Sequence, residues 1–249
     1  MLAISRRKAI QEQLRIQKSV TITELAEKFH VTKETIRRDL HSMQEDGELL
    51  RTHGGAYILD GVQNVIDINL RQVIKTDEKK VMAQKCAELI HPSDSIFLDG
   101  STSAWFIAQQ IRGMSLTVVT VSLKIANILS SPSIHLVLIG GLFSPKSLSF
   151  AGEKTCQMLS QYYMDMAFVS CRSVSLEHGV TDANDGDAAL HRLALQHSSL
   201  KYLVMDQSKI GKTSFSYVCD LKGTDGLVCN CKLSQKWMEG LASSGVHLY

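Results

Sequence analysis

Two groups of residues in this 249-residue chain have types and spacing suited to meeting an anion. The first lies in Thr-Lys-Glu-Thr-Ile-Arg-Arg-Asp-Leu, positions 32–40. Ile36, Leu40 and Met43 recur at helical spacing and mark a buried stripe. Thr32 suits the N-cap, where its hydroxyl accepts from the unpaired amides of the first turn. Lys33, Thr35, Arg37, Arg38 and Ser42 then fall on the remaining surface. Guanidinium groups match phosphate oxygens or the acceptor edge of guanine, and hydroxyls serve either. The plain alternative is a solvated basic helix. The second group is Asp99-Gly100-Ser101-Thr102-Ser103, between an apolar run and a helical segment. Gly100 lets the backbone approach a ligand closely, and a helix start supplies free N–H groups. Ser101 and Thr102 offer hydroxyls. Asp99 repels phosphate but accepts from sugar hydroxyls. The plain alternative here is a strand-to-helix cap. Similar residues end later apolar runs: Thr120 and Ser122, Gly140, Arg172, and Lys209 as a point charge for phosphate.

The elements that must position these residues follow from periodicity. A first helix is expected over 5–16, and Val20 and Ile22 form a brief extended turn. Thr23 is expected to cap a second helix over 24–29. His30 and Val31 then lead directly into the helix of Arg37. Two short helices joined so tightly are a helix-turn-helix, with the second offered to the major groove. Beyond Gly47, apolar residues flank Gly54-Gly55, which predicts a hairpin wing with Arg51 and His53 near its tip. Asp39 is assigned to structure, since an anion among phosphates repels; it is expected to orient Arg37, Arg38 or a nearby backbone group.

Weak periodicity over 60–75 predicts a linker. Thr76 or Asp77 then caps a helix to about Ile90, stopped by Pro92. From Ser95 onward, short continuous apolar runs alternate with helical segments. That pattern predicts a mostly parallel sheet covered on both faces. Such sheets take ligands at the carboxyl ends of their strands, where Asp99 and Lys209 fall. The reading is therefore an all-α winged helix-turn-helix over 1–59, a linker over 60–75, and an α/β domain over 76–249.

Composition sets bounds. The formal net charge is only +2, so any basic surface is local. The opening residues lack a long apolar run and no window reaches membrane-span length, so a cytoplasmic protein without a membrane partner is expected. The six cysteines are scattered and read as reduced thiols. No Cys/His set has zinc spacing, and His191 and His197 are too far apart on one helix to share a ligand face. Asp182, Asn184, Asp185 and Asp187 do not fall at calcium-loop positions. No nucleophile elbow or P-loop string occurs. Neither a metal, a cofactor nor a catalytic residue is assigned.

Arg6, Ile10 and Leu14, followed by Thr32 and by Thr35-Ile36-Arg37-Arg38-Asp39-Leu40, resemble the DNA-binding signature of the DeoR family of bacterial transcriptional regulators. His53-Gly54-Gly55-Ala56 looks like the end of the same module. Arg71 and Glu78-Lys79 resemble residues preceding that family's effector domain, with Arg71 a candidate for an anion site. The resemblance implies a second domain with the sugar-phosphate isomerase and CoA-transferase fold. Asp99-Gly100-Ser101-Thr102 looks like its phosphate loop and Lys209 like its ligand lysine. Asp187-Ala188-Ala189 before His191-Arg192 resembles a segment where the family has Glu-Ala-Ala and then Lys-Arg. Val121 replaces a family asparagine, Arg172 sits in an altered loop, and Asp187 is one methylene short of glutamate. The implied function is a DNA-binding regulator, a repressor of a carbohydrate-utilisation operon released from double-stranded operator DNA by a phosphorylated sugar. A homodimer or homotetramer would match a symmetric operator. The alternative is a sugar-phosphate isomerase-like enzyme with a fused DNA-binding module.

Overall fold

Apolar residues three and four apart draw three helices together in the N-terminal unit. They are α1 (Ala3–Gln17), α2 (Ile22–Phe29) and α3 (Lys33–Glu45). Ile10, Leu14, Leu25, Ile36, Leu40 and Met43 form their common core, each at most 1% exposed. The computed structural model describes residues 2–17, 19–46, 48–51, 54–58 and 76–249. The described chain divides into two units between Thr76 and Asp77.

The first unit is not all-α. β1 (Ser19–Thr21), β2 (Leu50–Arg51) and β3 (Gly55–Tyr57) pair as an antiparallel sheet in the order β1-β3-β2. The expected hairpin is thus joined by the stretch read as an extended turn. Thr21, not Thr23, caps α2. Its hydroxyl accepts from the Glu24 N–H at 3.1 Å, and the Glu24 carboxylate accepts from the Thr21 N–H at 3.1 Å. That reciprocal box satisfies two amides with one Thr/Glu pair, which a cap at Thr23 could not do.

The second unit opens with α4 (Thr76–Glu88) and is built on β4 (Ser95–Leu98), β5 (Leu116–Thr120), β6 (Ile134–Leu138), β9 (Met164–Val169), β12 (Ser198–Met205), β14 (Gly226–Cys229) and β15 (His247–Leu248). These make a parallel sheet in the order β15-β14-β12-β9-β4-β5-β6. Alternate strand residues serve opposite faces, as the pleat requires. Ile96, Leu98, Met166, Phe168 and Val204 meet α4, α5 (Thr102–Gln110) and α6 (Leu123–Leu129). Phe97, Ala167, Val169, Leu203 and Met205 meet α7 (Glu153–Leu159), α8 (Asp185–Gln196) and α9 (Gln235–Ser243).

Two small antiparallel sheets were not foreseen. β7 (Leu142–Ser144) pairs with β8 (Ser149–Ala151). β10 (Ser173–Ser175), β11 (Gly179–Asp182) and β13 (Ser216–Cys219) pair in the order β10-β11-β13. Residues 179–182 are β11, a strand without a long apolar run to announce it. Strands this short are made by cross-strand partners remote in sequence, which periodicity does not register.

Winding reverses at the centre of the large sheet. The chain passes from β4 outward to β5 and β6, then returns to β9 on the other side of β4 and continues to β15. The carboxyl ends of β4 and β9 are therefore the crevice where parallel sheets bind ligands.

Candidate functional sites at the recognition helix and the sheet crevice

In the N-terminal unit, α3 presents the side chains its spacing predicted. Thr32 caps it, its hydroxyl accepting from the Thr35 N–H at 3.2 Å and meeting the Thr35 hydroxyl at 2.9 Å. Lys33, Arg37 and Arg38 are exposed. Arg37 reaches back to Glu34 at 3.2 Å on the same face. Arg51 lies half-buried in β2. His53, Arg71, Gly47 and the 60–75 linker lie outside the described residues.

Asp39 is structural, but its partners differ from those expected. It is 3% exposed and binds α1, not Arg37 or Arg38. Arg6 Nε donates to Asp39 Oδ2 at 2.5 Å and Arg6 Nη2 to Oδ1 at 3.2 Å; Arg7 Nε stands 3.5 Å from Oδ1. Arg7 also donates to the Ser42 hydroxyl at 2.8 Å, which leaves Ser42 tied to α1. Arg6 is itself 6% exposed. A buried Arg–carboxylate fork fixes the angle between two helices as apolar contacts alone do not. The Arg37 and Arg38 side chains remain on the outward face.

In the second unit, the crevice gathers residues from several elements. Asp99, after β4, is fully buried. Its Oδ1 accepts from the Ser101 N–H at 2.9 Å and its Oδ2 from the Ser170 N–H, after β9, at 2.6 Å. Asp99 thus staples the two strand ends that border the crevice. Ser101 caps α5, accepting from the Ala104 N–H at 3.0 Å, and Thr102 and Ser103 are buried behind it. A Cβ at Gly100 would lie 3.0 Å from both Cβ and Oγ of Ser149, so glycine is needed for this close approach.

Thr120 and Ser122 are committed to the backbone. The Thr120 hydroxyl donates to the Leu98 carbonyl at 2.8 Å, and Ser122 caps α6, accepting from the Ile125 N–H at 3.4 Å. The Gly140 N–H points to Met158 Sδ at 3.4 Å. Asp187 pairs with Asn184, its carboxylate accepting from the Asn184 amide at 2.9 Å while its N–H donates to Asn184 Oδ1 at 2.9 Å. These four shape the walls of the unit. Lys209, in the 3₁₀ turn Gln207–Lys209 after β12, donates to the Ser170 hydroxyl at 2.7 Å. Arg172 is half-buried, where burial works to lower its pKa and the carboxylates of Asp182 and Asp206 work to raise it.

The unexpected member is His191 of α8, 8% exposed. Its Nδ1 lies 2.6 Å from Asp182 Oδ2 and 3.5 Å from Cys171 Sγ; its Nε2 lies 3.5 Å from Asp99 Oδ2. Burial opposes charge on the ring, yet Cys171 and Asp182 outweigh it, and the His191 pKa is raised well above 6.5. The Cys171 thiol is itself pushed up to about 12 by burial, so it is neutral at neutral pH and the carboxylate carries the attraction. Asp182 is held below its usual range: burial works against this, and His191, with help from Lys209, prevails. His191 is thus an imidazolium between two buried carboxylates.

Cys171, Asp182 and His191 also have the residue types of a metal site, with ligand atoms within 4.8 Å of one another. The 2.6 Å Nδ1–Oδ2 contact is a hydrogen-bond length. Ligands on a tetrahedral zinc stand roughly 3.3 Å apart, from bond lengths near 2.0 Å. The cluster is filled by a proton. Sequence spacing did not single out His191, because Asp182 and Asp99 reach it only through the fold. The available signal was its position where the DeoR resemblance expects a lysine, a cation.

Two family profiles match this arrangement. Residues 6–62 match the DeoR-like helix-turn-helix domain and residues 74–230 the DeoR C-terminal sensor domain. The chain belongs to the DeoR family of transcriptional regulators. Among its curated relatives, an uncharacterized HTH-type transcriptional regulator of Bacillus subtilis, YulB, is 33% identical over 99% of this chain and 96% of its own. The HTH-type transcriptional repressor GlcR of the same organism is 30% identical over 96% and 93%. The lactose phosphotransferase system repressor of Staphylococcus epidermidis is 35% identical over 82% of each. Among solved structures, ribose 5-phosphate isomerase A from Methanocaldococcus jannaschii is a distant likeness, 15% identical over 54% of each chain with a TM-score of 0.41. Among the described residues, no helix of this DeoR-family chain is long and apolar enough to cross a membrane.

Proposed function

We propose that this DeoR-family chain is a repressor of a carbohydrate-utilisation operon, held on operator DNA by residues 1–59 and released when residues 76–249 bind a phosphorylated sugar. The observation that carries the reading is the crevice between β4 and β9. There Lys209 and Arg172 supply cationic donors at strand ends, and Asp99 fixes the loop beside them. Cations at such a crevice suit a phosphate, and the half-buried setting favours a ligand over bulk ions. A relative named as a lactose phosphotransferase system repressor supports the carbohydrate assignment. On the DNA side, Lys33, Arg37 and Arg38 of α3 contact the operator, with Thr32, Thr35, Ser42, Arg51 and His53 around them. The protein acts in the cytoplasm as a homodimer or homotetramer, linked across 60–75, and turns over no substrate.

The test is a thermal-shift screen of the full chain against phosphorylated sugars, followed by gel-shift release from its operator. A phosphorylated sugar that raises the melting temperature and frees the DNA is the expected result. Binding without release, or no response to the panel, would sink the sensor reading. Conversion of a bound sugar phosphate to its isomer, followed by NMR, would establish the enzyme instead.

A further inference from the structure

The sulfurs of Cys229 and Cys231 lie 3.3 Å apart, and both thiols are free. Cys229 is the last residue of β14 and is 1% exposed; Cys231 is half-buried. The Cys229 backbone is held on both sides. Its carbonyl accepts from Lys85 Nζ of α4 at 3.0 Å, and its N–H donates to the Tyr249 carbonyl at 3.3 Å. Between the cysteines, Asn230 Oδ1 accepts from the Gln207 N–H at 3.1 Å. Gln207 is the first residue of the turn that carries Lys209.

We propose that Cys229 and Cys231 are an oxidation site, closed to a disulfide by an oxidant of the hydroperoxide class, and that closure loosens the Gln207–Lys209 turn through Asn230. The more accessible Cys231 reacts first. Its thiolate attacks one oxygen of hydrogen peroxide, the S–O bond forms as O–O breaks, and the departing hydroxide takes up the proton lost by Cys231. Cys229 sulfur then attacks the sulfenic sulfur. The S–S bond forms, S–O breaks, and hydroxide leaves with the Cys229 proton as a second water. Two thiols lose two electrons and one peroxide becomes two waters.

Burial pushes the Cys229 thiol up to about 11, which disfavours it as the first nucleophile and leaves that step to Cys231. Closure brings the sulfurs from 3.3 Å to about 2.05 Å. With the Cys229 backbone held, the displacement falls on Asn230 and Cys231, and the Asn230–Gln207 hydrogen bond lies in its path. Oxidation at these cysteines is independent of which ligand the Lys209 turn takes.

The full chain is treated with equimolar hydrogen peroxide, alkylated, digested and weighed. The expected product is a peptide two hydrogens lighter, containing Cys229 and Cys231, that takes up alkylating agent only after dithiothreitol. Amide exchange in the peptide spanning residues 206–211 is expected to rise severalfold in the oxidised protein and to return on reduction. Cys231→Ser, at a half-buried position, should show neither change, and Cys229→Ala gives the same check from the other side. Sulfinic acid on Cys231 with Cys229 still open to alkylation would overturn the site. Disulfide formation with unchanged exchange would overturn the coupling, as would faster exchange in peroxide-treated Cys231→Ser.

Discussion

Single side chains divide the work between the two units. Arg37 is exposed and, among the described residues, tethered only to Glu34, a pair of little net strength in water. Arg37→Ala should therefore leave folding intact and weaken operator binding about tenfold or more, as loss of a base-edge or phosphate contact does. Unchanged affinity in a gel-shift titration would remove Arg37 from the interface. Lys209→Ala should keep operator binding but lose release by the phosphorylated sugar, its Nζ being the donor set beside Ser170. Release at an unchanged sugar concentration would place the ligand elsewhere. His191 makes a pH prediction. Its raised pKa means that its contribution is fully present below about 6.5 and is lost as pH rises through the higher folded value. The lowered pKa of Asp182 means that its contribution is present above 3.8 and is lost as pH falls through the lower folded value. The cluster is thus most stabilising between those limits. His191→Lys keeps a cation between the carboxylates and should flatten the alkaline loss of melting temperature. An unchanged alkaline slope in that variant would assign the titration to another group.

At the scale of elements, the Arg6–Asp39 fork links α1 to α3 and so sets how the recognition helix is presented. Both side chains are at most 7% exposed. Asp39→Ala would break this buried ion pair, at a cost of about 3 to 5 kcal/mol. In a unit this small, that is a large share of total stability. The expected outcome is loss of operator binding and of the N-terminal unit's unfolding transition, with sugar-phosphate binding retained. Wild-type DNA affinity for Asp39→Ala would show that the fork is dispensable for presenting α3. The capping box and the simpler caps act differently. Thr21, Thr32, Ser101, Ser122 and Asn184 each fix a helix start, and three of them begin helices at the rim of the parallel sheet. Ser101 and Ser122 therefore position the crevice while their hydroxyls remain occupied by backbone amides.

For the whole molecule, regulation by a ligand is a coupling between two sites, and coupling is reciprocal. If a phosphorylated sugar lowers operator affinity by some factor, saturating operator DNA must lower sugar affinity by the same factor. Titrating the sugar calorimetrically with and without operator tests this. Sugar affinity unchanged by DNA, alongside DNA release by sugar, would mean that release comes from another process such as aggregation. Titrating operator DNA into the protein by the same method gives the number of chains per operator, which is expected to be even if the operator is symmetric.

Periodicity was enough to locate most of this architecture. The stripe of Ile36, Leu40 and Met43 marks a helix whichever partner it packs on, and continuous runs such as Ile96-Phe97-Leu98 mark strands buried on both faces. Spacing also singled out Asp99 and Lys209, because strand ends in a parallel sheet are local features of the chain. Three things were decided only by tertiary structure. Asp39 turned to Arg6 and Arg7 because burial against α1 requires a cation there, and 33 residues separate Asp39 from Arg6. Residues 179–182 became a strand because β10 and β13 offer ladders on both sides. His191 became the centre of the crevice cluster because β4, β9, β11 and α8 converge on it. A buried charge is meaningful only with its counter-charges, and those are assembled by the fold, not by neighbouring positions in the chain.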